Sequence, residues 1–97
     1  MIRHVILFSW TPEATAEQKQ RAQTELRALP PLMTGLRGHH AGPDIGLAPG
    51  NFDFAVVAEF EDAESYLAYR DHPAHKAVID ECIAPIRQDR ASVQFEA

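Results

Sequence analysis

The sequence predicts an α+β, ferredoxin-like fold of order β-α-β-β-α-α-β, a four-stranded antiparallel sheet with helices on one face. Three observations carry this reading. Four extended stretches alternate with helical apolar stripes in that order. Two of the stretches, Arg3 to Trp10 and Phe52 to Phe60, are apolar on both faces, as strands covered on both sides are. The chain has 97 residues, 45% of them hydrophobic, enough for one core, so residues 1–97 are expected to form a single domain.

In the first strand His4, Ile6, Phe8 and Trp10 share one face, and Arg3, Val5, Leu7 and Ser9 the other. Thr11-Pro12 ends it. Thr15, with Gln18 three residues on, has the pattern of a capping box that opens a helix. Ala22, Leu26, Leu29 and Met33 then form an apolar stripe opposed by Glu17, Lys19, Arg21 and Arg27, and Pro30-Pro31 closes the helix. Leu36 to Ala41 reads as a second strand that Gly38, Gly42 and Pro43 make irregular and open to a bulge. His39 and His40 must face opposite sides of it.

A loop through Pro49-Gly50 leads to the third strand, in which Phe54, Val56, Ala58 and Phe60 line one face. Asp62 caps a short helix on which Ala63, Tyr66, Leu67 and Arg70 are in phase, with Tyr69 beside them. Pro73 disfavours the α conformation at His72 and forces a break. From there a second helical segment is expected from Ala74 to about Arg87, opened by His75, with Pro85 kinking or ending it. Arg90 to Glu96 closes the chain as a strand in which Ser92, Gln94 and Glu96 alternate with Ala91, Val93 and Phe95.

Helices on one face leave the other open. Ile6, Phe8, Phe54, Val56 and Phe60 are expected to form one uncovered apolar patch, and a patch of that size implies a partner. A second copy is the economical one, with two sheets packed face to face in an isologous homodimer.

Formal net charge is -5, and the nine Lys and Arg are scattered along the chain, which argues against nucleic acid or phosphate as partner. No apolar run approaches a membrane span, and Val5 to Phe8 is too short for a signal-peptide core, so no membrane association and a cytoplasmic location are expected. Cys82 falls in phase with the apolar face of its helix and reads as a small buried hydrophobe.

Chemistry concentrates in Tyr69 to His75, where two imidazoles and a phenol fall within seven residues. Burial and a helix N-terminus both disfavour the imidazolium at His75, so it is expected to be neutral at pH 7. A neutral imidazole beside the Tyr69 phenol can take an acidic C–H proton while the phenol stabilises the enolate. On the residues alone the simpler reading of His75 is a buried histidine that satisfies a backbone group at the helix break. His72, before the proline, is expected to cap the second helix. His4, His72 and His75 are the one set that could converge on a metal; the His72–His75 spacing straddles a turn and lacks a firm third ligand, and no metal or other cofactor is expected.

His4-Val5-Ile6-Leu7-Phe8 with Trp10, Gly42-Pro43-Asp44, Val57-Ala58-Glu59-Phe60, and above all Tyr69-Arg70-Asp71-His72-Pro73-Ala74-His75 with Ile83-Ala84-Pro85 resemble the stress-responsive dimeric A/B barrel (Dabb) family. The likeness covers nearly the whole chain, and its Tyr-x-x-His-Pro-x-His segment is fairly specific. It implies a homodimeric half-barrel with a cavity between sheet and helices. By resemblance to a plant polyketide cyclase of that family, olivetolic acid cyclase, the catalytic histidine falls on His75, the pocket tyrosine on Tyr69, and a first-strand pocket histidine on His4. Phe54 stands where that enzyme has a further histidine, and Gln94 where many members carry an acid. Ile6, Phe8, Phe54 and Val56 complete the expected substrate-binding surface. The implied function is binding of a small carbonyl-containing or aromatic molecule, with cofactor-independent cyclase, lyase or isomerase chemistry. A non-catalytic stress-response or binding module, and a cofactor-free monooxygenase, are the alternatives.

Overall fold

The chain runs β1 (Ile2–Trp10), α1 (Ala16–Arg27), β2 (Leu36–Pro43), β3 (Phe54–Phe60), α2 (Ala63–Asp71), α3 (Pro73–Val78) and β4 (Arg87–Glu96), in a computed structural model that describes all 97 residues. The strands pair in the order β2-β3-β1-β4, every neighbour antiparallel, which is the expected ferredoxin-like arrangement.

Local chemistry explains the boundaries. Thr15 closes the expected capping box: its hydroxyl accepts from the Gln18 backbone N–H at 3.1 Å, and the Gln18 side chain accepts from the Thr15 N–H at 2.9 Å. Ala22, Leu26 and Leu29 are buried, and Pro30–Leu32 tightens into one 3₁₀ turn. Gly35 adopts φ +78°, where a Cβ would collide with the Ser65 side chain, so glycine lets the chain enter β2 close against α2. The irregularity expected in β2 is a register shift between Leu36 and Gly38. Asp62 caps α2 by accepting from the Ser65 N–H at 2.8 Å.

The second helical segment departs from expectation at both ends. It begins with His72 as N-cap and Pro73 as first residue, which sets His75 inside the first turn rather than at its opening. Beyond Val78 it widens into a π-helical stretch, Ile79–Ile83, where the Ala84 N–H reaches back five residues to the Ile79 carbonyl at 2.8 Å. Pro85 is the cause, since it cannot donate to the Glu81 carbonyl and its ring crowds it. The wider turn still delivers Cys82, Ile83 and Ile86 to the core, with Cys82 the small buried hydrophobe expected.

The expected open patch lies on the wrong face. Phe8, Phe54, Val56 and Phe60 are at most 3% exposed and belong with Trp10, Leu26, Tyr69 and Ile83 to the core beneath the helices. Ile6 packs against that core. The uncovered face is the opposite one, carrying Val5, Leu7, Ala55, Val57, Ala91, Val93 and Phe95 with an Arg3–Glu59 ion pair at 3.2 Å. Val93 and Phe95 are 54% and 44% exposed. The inward face carries Phe8, Trp10, Phe54 and Phe60, whose rings fill the depth between sheet and helices, and the face with the Arg3–Glu59 pair is left outside.

The strand at the open edge has no helix above it. All ten residues of β4 are exposed, including Ser92 and Gln94 on the helix-side face. The bare inner side of β4 and the α2–α3 junction frame a cavity.

Candidate functional site

Phe60 is fully buried and forms the floor on which two phenols rest, Tyr69 at 5.2 Å and Tyr66 at 5.7 Å between ring centroids. Three residues apart on α2, the two phenols share one helical face. Tyr69 is 4% exposed, and burial, with Tyr66 adding to it, pushes its hydroxyl up to about 12. The phenol therefore keeps its proton at any working pH and can donate.

The break after α2 places His75 against Tyr69. His72 sits in extended conformation before Pro73, and its Nδ1 accepts from the Ala74 N–H at 3.0 Å, so this histidine is the cap expected of it. One turn on, the His75 ring lies 4.3 Å from that of Tyr69, and its Nδ1–H donates to the Arg70 carbonyl at 3.2 Å. A carbonyl accepts only, so the bond fixes the tautomer and leaves a lone pair on Nε2. Burial lowers the affinity of His75 for a second proton, and the Arg70 carbonyl works against that without cancelling it. His75 is neutral at pH 7, as expected.

His4, from the opposite wall, has the complementary polarity. Its Nδ1 accepts from the Gln94 amide N–H at 2.8 Å across the β1–β4 pair, which leaves its proton on Nε2. Burial, with His75 and Arg90 nearby, pushes its imidazole down to about 4. The uncharged Gln94 amide cannot stabilise an imidazolium as a carboxylate would. The site thus holds two neutral imidazoles, one offering a lone pair and one a proton. Tyr66 stacks at a tilt 5.1 Å from His4.

Protonation of His4 is linked to folding. The native value near 4 lies below the unfolded 6.5, so the contribution is complete above pH 6.5 and is lost as pH falls toward 4. The gap is worth at most about 3 kcal/mol. Thermal melts of wild type and His4→Phe at pH 7 and 4.5 should show the larger loss in the wild type. Parallel losses would rule this linkage out.

The cavity these groups line measures about 390 Å³, within the roughly 300–1,000 Å³ of small-molecule sites. Of the residues expected from sequence, His75, Tyr69, His4, Ile6, Phe8 and Val56 all line it. Phe54 does not: it packs on Trp10 and edges a separate depression of about 490 Å³, beside Leu7 and the loop from Asp44 to Phe52, which holds no imidazole or phenol. His39 points to the helix side of β2, its buried Nε2 without a partner, while His40 faces outward; neither reaches the cavity. Sequence reasoning missed Tyr66, Arg70, Arg87, Arg90, Ser92 and the part played by Gln94. Tyr66 was within reach, being one helical turn before Tyr69. No three His, Cys, Asp or Glu side chains converge as a metal-ligand set.

The profile of the Stress responsive A/B Barrel Domain family matches residues 2–97. The chain belongs to that family. Among solved structures it is similar to a dimeric ferredoxin-like protein of unknown function from Thermobifida fusca, 43% identical over 99% of this chain and 90% of that one, with a TM-score of 0.92. A dimeric protein of ferredoxin-like fold from Bacteroides fragilis is 25% identical over 99% and 95% of the two chains, TM-score 0.84. Hydroxynitrile lyase from Passiflora edulis shares the fold at 14% identity, over 97% and 90%, TM-score 0.83. An uncharacterised protein of Streptomyces coelicolor is 30% identical over 79% of this chain and 81% of its own. No helix of this A/B barrel protein is long and apolar enough to cross a membrane.

Proposed function

We propose that this A/B barrel protein binds a small aromatic or carbonyl compound in the cavity and catalyses proton transfer at the carbon next to the carbonyl, without a cofactor. The contact of His75 with Tyr69 at 4.3 Å, with the His75 lone pair on Nε2, carries the reading. His75 Nε2 takes the α-proton, and the C–H electron pair moves through carbon to the carbonyl oxygen as an enolate. The Tyr69 hydroxyl and His4 Nε2–H stabilise that oxygen by hydrogen bonding. The proton then returns to carbon, or the enolate attacks a second carbonyl in the same molecule, as in the cyclisation performed by olivetolic acid cyclase. Further polar side chains on the cavity wall, Tyr66, Ser92 and Gln94, favour a catalytic over a purely binding role.

The working unit in this reading is residues 1–97 as one domain in a homodimer, in keeping with the dimeric relatives from Thermobifida fusca and Bacteroides fragilis. Two copies pack through the face bearing Val5, Leu7, Val57, Val93 and Phe95, leaving both cavities on the outer, helix-covered sides.

Hydrogen–deuterium exchange tests the chemistry. Aryl methyl ketones, among them 4-acetylbenzoate, are incubated with the protein in D₂O and the methyl signal is followed by proton NMR. Loss of the signal above the buffer rate is expected for at least one ketone; buffer-rate exchange for all would overturn the catalytic reading.

A further inference from the structure

Some of the basic residues that look scattered in the sequence come together in space. Three of the nine Lys and Arg, Arg70, Arg87 and Arg90, line the His75 cavity, and no Asp or Glu does, in a chain with 14 acids. The ion pairs of the chain engage Arg3, Arg37 and Arg70, the last with its neighbour Asp71 at 2.9 Å. Arg87 and Arg90 are left without a counter-charge, and Arg90 makes one long contact, Nη2–H to the Ser92 hydroxyl at 3.4 Å.

A backbone irregularity puts these two on one side. Residues three apart on a regular strand face opposite ways. In β4 the register shifts between Ser9 and Trp10, so Arg87 stands opposite Trp10 and Arg90 opposite Phe8, both partners pointing into the core. The bulge thus aims both guanidinium groups at the cavity. Depth separates the functions. His4 and Tyr69 are buried, whereas Arg87 and Arg90 are exposed at the mouth. Along β4, Arg90 lies four residues from Gln94, the partner of His4, about 13 Å apart in strand rise, a gap that an extended arginine side chain roughly halves.

We propose that the cavity takes a ligand bearing a carboxylate as well as a carbonyl, the carboxylate held by Arg87 and Arg90 at the mouth and the carbonyl seated among His4, Tyr69 and His75. This rests on the reading of the cavity as a carbonyl site. Guanidinium groups recognise planar carboxylates through paired N–H donors, and two of them without counter-ions leave those donors free for an anion. An aromatic ring linking the two groups would lie between Phe8, Ile6 and Ile79 on the cavity wall.

A matched pair of probes tests this: 4-acetylbenzoate and 4-acetylbenzamide have the same shape and ketone and differ in charge. Binding is read by calorimetry and by NMR shifts at His75, with wild type and with the Arg87→Gln/Arg90→Gln variant. The wild type should bind the acid about tenfold or more tightly than the amide, with the preference falling as salt rises. The variant should bind both alike and keep its affinity for the amide. Both substitutions sit on an exposed edge strand, and circular dichroism confirms the fold. Equal affinity of the wild type for both probes, or an acid preference that survives the double substitution, overturns the anion inference and leaves the carbonyl site standing. Absence of any binding and of any shift at His75 with both probes overturns the two together.

Discussion

Leu7→Asp combined with Val57→Asp should convert a dimer to a monomer, moving the mass measured by light scattering at micromolar concentration from twice 10.8 kDa to 10.8 kDa. Both residues lie on the uncovered sheet face, on adjacent strands in neighbouring register, Val5 opposite Val57 and Leu7 opposite Ala55. Burying side chains of this size contributes roughly 1.5–3 kcal/mol each. Exchanging them for carboxylates removes that term and places four unpaired charges in the joint, so dissociation should strengthen by about 10³-fold or more. The same substitutions on the other face, Phe8→Asp or Val56→Asp, should unfold the chain, because Phe8 and Val56 are core residues. A wild-type monomer at these concentrations would contradict the barrel assembly, and a dimer that tolerates Leu7→Asp/Val57→Asp would contradict its placement on this face.

His75→Ala should lower enzymatic exchange of the ketone methyl protons by about 10²–10⁴-fold, the ordinary contribution of a positioned general base. Tyr69→Phe should cost less in binding than in rate, roughly 10²-fold in rate if the hydroxyl donates to the enolate. The pH dependence adds an independent signature. Burial holds His75 below its ordinary 6.5, so the base is fully competent at pH 7 and the rate should decline only as pH drops through a value beneath 6.5. Tyr69, pushed up to about 12, should add no limb between pH 7 and 10. A rate unchanged by His75→Ala would remove His75 from the reaction whatever the cavity binds.

The element order and the junction at His72-Pro73 were legible because their signals are local: a capping box, a proline, a period of two or of 3.6. Which sheet face the helices cover was not, because β1 and β3 are apolar on both sides and period two says only which residues travel together. The charges held the answer. Arg3 and Glu59 pair across one face, whereas the first and third strands carry no ionised residue on the other, and a face with an ion pair is the poorer core. His75 and Tyr69 could be read because the Tyr-x-x-His-Pro-x-His segment holds both, and His4 through the family resemblance, strand alternation saying only that it travels with Ile6 and Phe8. Arg87 and Arg90 could not: β4 begins three residues before its alternating pattern does, and the bulge that turns both inward depends on pairing with β1. The same pairing brings Gln94 to His4, where its amide N–H sets the tautomer of the imidazole.

The central claim is that His75 and Tyr69 form a cavity site for a carbonyl ligand, and NMR of the His75 imidazole measures it most directly. Carbon–proton correlation spectra of the ring, recorded across pH 4 to 8 with and without an aromatic or β-keto ligand, should show His75 titrating below 6.5 in the free protein, shifting when ligand is added, and becoming protected from protonation, with the Tyr69 ring signals moving in parallel. A His75 signal that titrates at or above 6.5, or His75 and Tyr69 signals that no ligand in a diverse panel displaces, would contradict it.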